Sequence, residues 1–422
     1  MCPRLLHLGM QVYDLAVIGG GAAGFFGALQ TAEMKPGSRV VILEKSNKLL
    51  SKVRISGGGR CNVTHACFEP GPLARHYPRG EKFLKNLFRS FQAKDTVAWF
   101  ASKGVNLKVE HDGRMFPDTN SAETIIDCFL QEAQRQNITI EVSTGEVAVQ
   151  PGPEYFTLTM QHGMTLQARH VLVATGGHAN PQFYQWLAAL GHTVVPPLPS
   201  LFTLNDSQKD FRDLMGVAVP HAEVRIATTR FSETGPVLIT HWGLSGPAVI
   251  KLSAWAAAYL HEAQYQCTAL VSWIGPAEED ATRQLLHEHK AAHGKQRVYS
   301  NPIFSLPQRL WQKLCTLAAI EETKIWAELP QKNLNKLLEY LIRCPFQIKG
   351  KTTFKEEFVT CGGVDLKEVD PETLESRRIK NLFFAGEVLN VDGETGGFNF
   401  QAAWTTSHLA ARQIATRIQR EV

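Results

Sequence analysis

The hydrophobic pattern is clearest near the start of the chain. An apolar run, QVYDLAVI, covers residues 11–18 and is followed at once by the glycine-rich sequence GGGAAG at 19–24. Residues 25–32 then have a helical composition, and a second apolar run, RVVIL, covers 39–43. Short continuous apolar runs are typical of buried parallel strands. The pattern therefore predicts a strand, a glycine turn, a helix and a second strand.

This order of elements places the glycines where a dinucleotide binds. Gly19 suits a tight turn, Gly21 lets the backbone approach a pyrophosphate, and Gly24 lets the helix pack on the strand. The helix N-terminus presents free N–H groups to the phosphates. Glu44 ends the second strand, 20 residues beyond Gly24, where an acid accepts hydrogen bonds from a ribose. The candidate cofactor-binding residues here are Gly19, Gly21, Ala22, Ala23, Gly24, Glu44 and Lys45.

Three further segments carry glycines that allow the backbone to approach a ligand. Residues 55–62 have the sequence ISGGGRCN and lie among basic side chains, which suit a phosphate. One apolar strand ends in ATGG at 174–177. Another ends in AGE at 385–387, before DGETGGFN at 392–399 and a helix over 400–418. The candidate cofactor-binding residues of these segments are Gly58, Arg60, Cys61, Asn62, Thr175, Gly176, Gly386, Glu387, Gly396, Gly397, Phe398 and Asn399.

The two ends of the chain together favour FAD over NAD(P). In flavin enzymes a strand that ends in Gly-Glu places a carboxylate on the ribityl chain or the sugar, and the dipole of the next helix stabilises the negative charge of a reduced flavin. One extended cofactor would bridge such a split site. The sequence contains no second complete GxGxxG in strand context for a separate pyridine nucleotide. We expect FAD, with NAD(P) alone as the competing interpretation and NAD(P)H as a candidate electron donor.

The middle of the chain has a different pattern. The sequence PPLP at 196–199 marks a predicted boundary, and GLSGP at 243–247 is expected to interrupt the chain before an alanine-rich helix that ends at Leu260. Short strand-like segments with turn residues between them predict a small β-domain, at 201–204, 222–227 and 236–240. Helical candidates follow at 280–293, 308–319 and 334–342. A β-part and a helical part therefore interrupt the nucleotide-binding fold.

Length and composition limit the class of protein. The 422 residues allow two or three domains, and the formal charge of +4 does not by itself indicate a nucleic-acid binder. The eight cysteines form no CxxC pair and no zinc-ligand spacing, so we expect no metal, free thiols and a cytoplasmic location. No apolar stretch approaches the ~20 residues of a membrane span. The first ten residues are interpreted as an extension without a secretion signal, with Met10 as an alternative start.

A basic, aromatic segment covers residues 75–94, with phenylalanines at nearly helical spacing. It predicts an amphipathic helix with a solvated basic face. Contact with RNA is the alternative interpretation, and a charge reversal in this segment would test it.

Several motifs resemble the YhiN-like flavoproteins, also called the aminoacetone oxidase family of FAD-binding enzymes. The resemblance covers nearly the whole chain, and its motifs lie at 19–24, 55–62, 174–177, 240–247, 360–364, 385–387 and 393–399. One departure is GHANPQFY at 177–184, which is short and aromatic where many relatives carry a longer segment rich in glycine, serine and threonine. The family implies an α/β fold in three parts: a discontinuous Rossmann-like FAD-binding domain at 1–195 plus 355–422, a β-barrel-like domain at 196–275 with 345–354, and a small helical domain at 276–344.

The same resemblance implies a FAD-dependent oxidoreductase without naming its substrate. Members of the family have been associated with amine oxidation, with reduction of carbon–carbon double bonds in bile-acid-like steroids, and with uridine reduction in ribosomal RNA. The main hypothesis is transfer of hydride from NAD(P)H to an activated double bond in a small molecule. The alternatives are an oxygen-dependent amine oxidase, a uridine reductase acting on ribosomal RNA, and a non-catalytic FAD-bound redox sensor.

No catalytic acid or base stands out from the sequence. Cys61, His178 and His241 are candidates, but each residue type is more often structural in such a position. Glu394 and Asn399 flank the expected flavin face. The catalytic residues and the oligomeric state are therefore left open.

Overall fold

A computed structural model describes residues 12–208, 210–352 and 359–420 of the chain. The chain forms two compact units. The first unit comprises Met1–Pro199 and Lys355–Val422, and the second comprises Ser200–Phe354. The first unit is thus built from both ends of the chain. The three domains and their boundaries given above remain a prediction.

Both units contain strands and helices, whose bounds are as follows. The strands are β1 (Val12–Ile18), β2 (Val40–Leu43), β3 (Thr64–His65), β4 (Leu107–Val109), β5 (Arg114–Pro117), β6 (Thr139–Glu141), β7 (Val147–Pro151), β8 (Phe156–Met160), β9 (Thr165–Val173), β10 (Val194–Ser200), β11 (Thr203–Asp206), β12 (Ala218–Ile226), β13 (Ser232–Ile239), β14 (Gly243–Ser245), β15 (Gln266–Ser272), β16 (Cys344–Thr352), β17 (Val359–Val364) and β18 (Leu382–Phe384). The α-helices are α1 (Ala22–Met34), α2 (Ser51–Gly59), α3 (Pro70–Ala74), α4 (Glu81–Leu87), α5 (Ala93–Ser102), α6 (Ala122–Arg135), α7 (Gln185–Ala189), α8 (Pro247–Trp255), α9 (Ala257–Glu262), α10 (Glu279–Ala292), α11 (Gln308–Leu317), α12 (Gln331–Ile342) and α13 (Phe398–Arg420). Short 3-10 helices lie at Pro181–Tyr184, Arg212–Leu214, Trp326–Glu328, Leu366–Glu368 and Gly386–Val388.

A seven-stranded sheet organises the first unit, in the order β6-β2-β1-β9-β8-β7, with β18 paired to β9. Strands β1, β2, β6, β9 and β18 pair in parallel, whereas β7 and β8 are antiparallel. Ile18 is aligned with Val173, and Phe384 is aligned with the same residue. The carboxyl ends of β1, β9 and β18 therefore meet at one edge, which is where open α/β sheets bind ligands.

Helices α1 and α13 pack against each other beside this sheet. Gly27 of α1 leaves room for Leu172, since a Cβ there would lie 2.5 Å from the leucine Cδ2. Ser407 of α13 donates a hydrogen bond to the carbonyl of Ala23. The indole of Trp404, fully buried, lies 5.3 Å from the ring of Phe26. The N-terminus of α1 and that of α13 are thus both held within the first unit.

The second unit contains a closed barrel, in the strand order β11-β14-β13-β12-β15-β16. Its apolar core includes Val224, Ile239 and Val271 from the barrel and Leu337 and Leu341 from α12. Together with the parallel sheet of the first unit, this barrel confirms the predicted α/β fold class.

Several local predictions were wrong. The segment at 75–94 is not one amphipathic helix, because it contains the turn after α3, helix α4, a second turn and the start of α5. Residues 55–59 belong to α2, although Ser56, Gly57 and Gly58 leave helical geometry. The prolines at 196–199 form part of β10, and the boundary predicted there agrees with the division of the chain after Pro199. The expected break at 243–247 begins with strand β14, and helix α13 starts two residues before the predicted position.

The extension at 1–10 and its cysteine, Cys2, lie outside the described residues. The other seven cysteines are free thiols. Among the described helices, none combines the length and apolar character required to cross a membrane.

Candidate functional site

The glycine turn after β1 leaves an open surface at the N-terminus of α1. Gly19 has a φ of +114°, and a side chain there would overlap the carbonyl of Ala174. A Cβ on Gly24 would overlap the carbonyl oxygen of Gly19. By contrast, no described residue lies within 4 Å of a Cβ on Gly21, which precedes α1, and no described side chain caps this helix end. Two glycines are required by packing, and the third leaves room for an anion at the positive end of the helix.

Glu44 stands beside this turn, at the end of β2. Its Oε2 accepts a hydrogen bond of 2.9 Å from the Gly20 N–H, and its Oε1 accepts from the amide and hydroxyl of Ser46 at 2.9 and 2.8 Å. A carboxylate offers about four acceptor sites, so ribose hydroxyls can bind in addition. Lys45 is exposed, with its Nζ 5.2 Å from the ring centre of Phe183.

The turn after β9 presents an unsatisfied hydroxyl to the same edge. Thr175 Oγ1 is buried and has no hydrogen-bond partner among the described residues. Buried hydroxyls are rarely left unpaired, because this costs about 1–3 kcal/mol. Gly176 follows with a φ of +73°, and no described residue lies within 4 Å of the position that a Cβ would take there. The orphaned hydroxyl fits a bound ligand such as FAD at this position.

The turn after β18 lies against α1 and α13. Gly386 has a φ of +74°; a Cβ there would lie 2.8 Å from that of Ala23, and its N–H donates to Thr406 Oγ1 at 2.9 Å. Glu387 does not point freely toward a ligand. Its Oε2 is 2.6 Å from Lys52 Nζ, and its Oε1 accepts from the Thr360 N–H at 2.8 Å. A carboxylate held on both oxygens can orient a neighbouring sugar only with its remaining lone pairs.

Some residues of the ISGGGRCN segment lie at the surface, and others are buried. Gly58 has a φ of +69° and open space where a side chain would stand. Arg60 is not a free phosphate ligand, because its Nη1 is 2.6 Å from Glu110 and its guanidinium covers the ring of Phe116 at 4.0 Å. Burial raises the pKa of Cys61 to about 12, so its thiol stays protonated.

Asn62 connects this segment to the N-terminus of α13. In the amide orientation that its neighbours require, Asn62 donates to the Thr64 carbonyl at 3.0 Å and accepts from the Gly397 N–H at 2.9 Å. Gly397 has a φ of +92°, and a Cβ there would lie 2.6 Å from the carbonyl carbon of Thr64. Gly396, with a φ of +135°, precedes it. The two motifs, over 330 residues apart, form one surface.

The remaining residues of the GETGGFN motif shape the start of α13. Asn399 accepts from the Gly393 N–H at 2.8 Å and donates to the Gly393 carbonyl at 2.9 Å. The ring of Phe398 stacks on that of His76 with centroids 4.1 Å apart. Asn399 therefore holds the loop before the helix, whereas Phe398 supplies an aromatic contact.

Residues 76–79 anchor this loop and were missed as part of the site. Tyr77 donates its hydroxyl to the Phe398 carbonyl at 2.6 Å, and Arg79 forms a bidentate ion pair with the buried Asp392. His76 bonds Glu394. The sequence marked this segment only by its charge and aromatic content, since each partner lies more than 300 positions away.

The two histidines that the sequence offered as candidates, His178 and His241, make none of the contacts described for residues 76–79. Burial, with a smaller contribution from Lys45, lowers the pKa of His178, whose ring stacks on Phe183. His241 is exposed in the second unit, beside a small surface pocket that Trp242 and Phe346 also line. Among the described residues no group of three or more His, Cys, Asp or Glu side chains is placed to hold a metal ion.

Comparison with known proteins gives a consistent family. The model described as HI0933-like protein Rossmann domain matches residues 13–413. The chain is 31% identical over 414 residues to a ribosomal RNA dihydrouridine synthase of Escherichia coli K12, covering 96% of this chain and 98% of that protein. It is 28% identical over 414 residues to a 3-dehydro-bile acid delta(4,6)-reductase of Clostridium scindens, covering 96% of this chain and 99% of that protein.

Solved structures share the fold at low identity. A 3-ketosteroid-delta4-(5alpha)-dehydrogenase from Rhodococcus jostii RHA1 aligns with a TM-score of 0.52 and 12% identity, over 96% of this chain and 97% of that chain. The Escherichia coli quinol fumarate reductase subunit FrdA aligns with a TM-score of 0.50 and 15% identity, over 98% of this chain and 71% of that chain. The chain therefore belongs to the HI0933-like family of Rossmann-domain FAD-binding proteins and is a FAD-dependent oxidoreductase.

Proposed function

We propose that this protein is a FAD-dependent reductase that adds hydrogen across a carbon–carbon double bond conjugated to a carbonyl, with uridine in ribosomal RNA as its substrate and NAD(P)H as its electron donor. The names of the relatives describe one shared chemistry. Formation of dihydrouridine saturates the C5=C6 bond of uracil, which is conjugated to the C4 carbonyl. The double bonds of a 3-dehydro-bile acid delta(4,6)-reductase substrate are conjugated to the 3-oxo group. Both reactions need hydride at one carbon and a proton at the other.

The observation that carries the proposal is the convergence of four glycine-rich turns at one edge of the first unit. The turn at Gly21 and the N-terminus of α1 would bind the pyrophosphate, and Glu44 would bind the ribose. Thr175 Oγ1, buried without a partner in the described chain, would donate to or accept from the bound cofactor. FAD, when bound, supplies two-electron chemistry through its isoalloxazine ring. The N-terminus of α13 would stabilise negative charge there.

A cationic surface supports RNA as the substrate. The side chains that form this cationic surface are Arg75, Lys82, Lys85, Arg89 and Lys94, all exposed and without an ion pair to any described residue. The opposite side of the segment is buried, through Leu84, Leu87, Phe88 and Phe91. Lysine and arginine side chains that are not neutralised locally are suited to bind phosphates. A ribosomal RNA substrate, together with free thiols, supports a cytoplasmic location.

In the sequence, the cationic surface is adjacent to residues of the candidate site. It begins one residue before the segment 76–79, whose contacts hold the loop that precedes α13. RNA bound to these cations would therefore pass the N-terminus of α13.

The first experiment tests the cofactor and the direction of electron flow. The purified protein, supplied with FAD, is expected to show a flavin band at about 450 nm that bleaches anaerobically with NADH or NADPH. Addition of unmodified ribosomal RNA should restore the band without oxygen and should produce dihydrouridine, detected as a gain of two hydrogens by mass spectrometry of the nucleosides. Rapid bleaching by a small amine, with peroxide formed in air and no response to NAD(P)H, would replace the reductase with an oxidase.

A second experiment tests the cationic surface with a matched control. In K82E/K85E the slope of log K for RNA binding against log salt concentration should fall by about 1 per residue. In K332E/K336E, a pair of exposed lysines on α12, the slope should stay at the wild-type value. An equal effect in both variants would indicate a general charge effect, and wild-type binding in K82E/K85E would remove this surface as the RNA contact.

A further inference from the structure

His76 and Glu394 are joined by two hydrogen bonds although 318 positions separate them in the chain. The side-chain bond joins His76 Nδ1 to Glu394 Oε2 at 3.1 Å. The backbone bond runs from the Glu394 N–H to the His76 carbonyl at 2.9 Å. Glu394 is only 6% exposed, whereas a third of the His76 side chain is accessible. The pair thus has one buried carboxylate and one imidazole that solvent or a ligand can reach.

Aromatic contacts fix the plane of this imidazole. The ring of Phe398 lies nearly parallel to it, at 12° and 4.1 Å between centroids. The same phenylalanine stacks on His65, at 21° and 4.7 Å. His65 Nε2 is within 3.1 Å of the Asp112 carbonyl, so this second histidine is tied to the turn between β4 and β5. The two histidines share a stacking partner but differ in their polar partners.

The carboxylate decides which nitrogen of His76 is available. A carboxylate that accepts from Nδ1–H selects the tautomer in which Nε2 carries the lone pair, and protonation then places a donor at Nε2. His76 Nε2 makes no hydrogen bond to any described residue. Because Phe398 and Glu394 flank the start of α13, this nitrogen is held beside the surface where the flavin is expected.

We propose that His76 is the proton donor of the reduction and that Glu394 is the residue that positions it; this inference rests on the proposed function. FAD, when bound and reduced, would supply the hydride, one proton with two electrons, that the double bond gains at the carbon β to the carbonyl. The α carbon gains a proton from His76 Nε2. The imidazolium becomes a neutral imidazole, which takes up a proton from water before the next turnover.

Other candidates for this role in the first unit are less suitable. Cys61 is completely buried, and burial raises the pKa of its thiol to about 12. Burial lowers the pKa of His178, which favours its neutral form. His65 uses Nε2 for the Asp112 carbonyl. Of these groups, His76 alone combines a partly accessible ring with a carboxylate bound to Nδ1.

The kinetic test compares His76→Gln with His65→Gln in the full chain with bound FAD. In H76Q we expect reduction by NAD(P)H to stay within about twofold of wild type, while reoxidation of the reduced enzyme by the unsaturated substrate slows about 10²- to 10³-fold. H65Q keeps the acid and should retain reoxidation within about threefold of wild type.

Equal slowing of both half-reactions in H76Q, or equal slowing of reoxidation in H76Q and H65Q, would overturn the proposal in favour of a structural role for the stack. Glu394→Gln provides a second variant if H76Q binds FAD poorly. Glutamine has the size of glutamate, but its amide can donate as well as accept, so it no longer selects the tautomer with Nδ1–H. Reoxidation should therefore again slow selectively.

A measurement without turnover keeps the two proposals distinguishable. Nitrogen-15 NMR of ring-labelled histidines at alkaline pH, with the His76 signals assigned by their loss in H76Q, should show a neutral ring protonated at Nδ1. A neutral ring protonated at Nε2 would overturn the role of the pair. If wild type reduces neither uridine in RNA nor an unsaturated ketone, the proposed function and the proton-donor role both fail, even where the tautomer is as expected.

Discussion

Replacing Gly21 by alanine separates cofactor binding from folding. Gly21 precedes α1 with φ −94° and ψ −170°, a backbone conformation that alanine adopts without strain. Nothing in the described chain lies within 4 Å of the added Cβ. Loss of glycine at the N-cap costs less than about 1 kcal/mol, so the melting temperature of the FAD-free protein should fall by no more than about 2–4 °C.

The same methyl group would occupy the surface that we assign to the pyrophosphate. Overpacking of this kind costs about 1–3 kcal/mol, which corresponds to FAD binding weakened about 5- to 150-fold. The affinity is measured by titrating the FAD-free protein and following flavin fluorescence. The melting temperature of the same sample is measured by circular dichroism.

Gly24→Ala is the matched control, because its Cβ would overlap the carbonyl oxygen of Gly19. The exchange gains about 1 kcal/mol of helix propensity, but a backbone carbonyl cannot turn aside as a side chain does. We expect G24A to lower the stability of the FAD-free protein, with weaker FAD binding as a consequence. If G21A bound FAD with wild-type affinity while G24A lowered the stability as expected, the assignment of this turn to the pyrophosphate would be refuted.

Three further predictions concern buried groups of the first unit. Thr175→Val removes a hydroxyl without a partner in the described chain, so the free energy of unfolding should stay equal or rise by up to about 1 kcal/mol while FAD binding weakens; a large loss of stability would show that the hydroxyl is already satisfied. Cys61 should escape alkylation in the native protein and react after unfolding, since burial raises its pKa to about 12, and peptide mapping would detect early labelling. Burial lowers the pKa of His408 from 6.5 to about 4, so the unfolded chain binds more protons between these values and the free energy of unfolding should fall as the pH decreases through this range. Denaturant titrations should show that the free energy of unfolding depends less on pH in His408→Gln than in wild type. An unchanged pH dependence would contradict the lowered pKa of His408.

Much of the fold follows from local patterns in the sequence. The apolar runs of β1 and β2, the glycines between them and the helix α1 are local features, since strand burial and a positive φ act within a few residues. The motif at 19–24 therefore indicated the nucleotide fold without any knowledge of distant contacts. The same holds for the strands that end at Val173 and Phe384.

Tertiary structure decided which charged and polar groups meet. Arg60 and Glu387 have the right charge for cofactor contacts, but Glu110 and Lys52 neutralise them. No local pattern specifies such partners, because the ion pairs join segments 50 and 335 positions apart. The prediction of a single helix over 75–94 was wrong for a related reason. The first residues of the segment form hydrogen bonds to the residues around the start of α13, and its apolar side chains are buried in the core.

The pair formed by His76 and Glu394 shows the same division most clearly. The sequence by itself determined a glycine-rich loop that contains Glu394 and a helix after it, because glycine spacing and helical composition are local. Only the folded chain brings His76 to that loop, through hydrogen bonds and ring stacking over more than 300 residues. Backbone conformation is encoded by neighbours in the chain, whereas the chemistry of the site depends on neighbours in space.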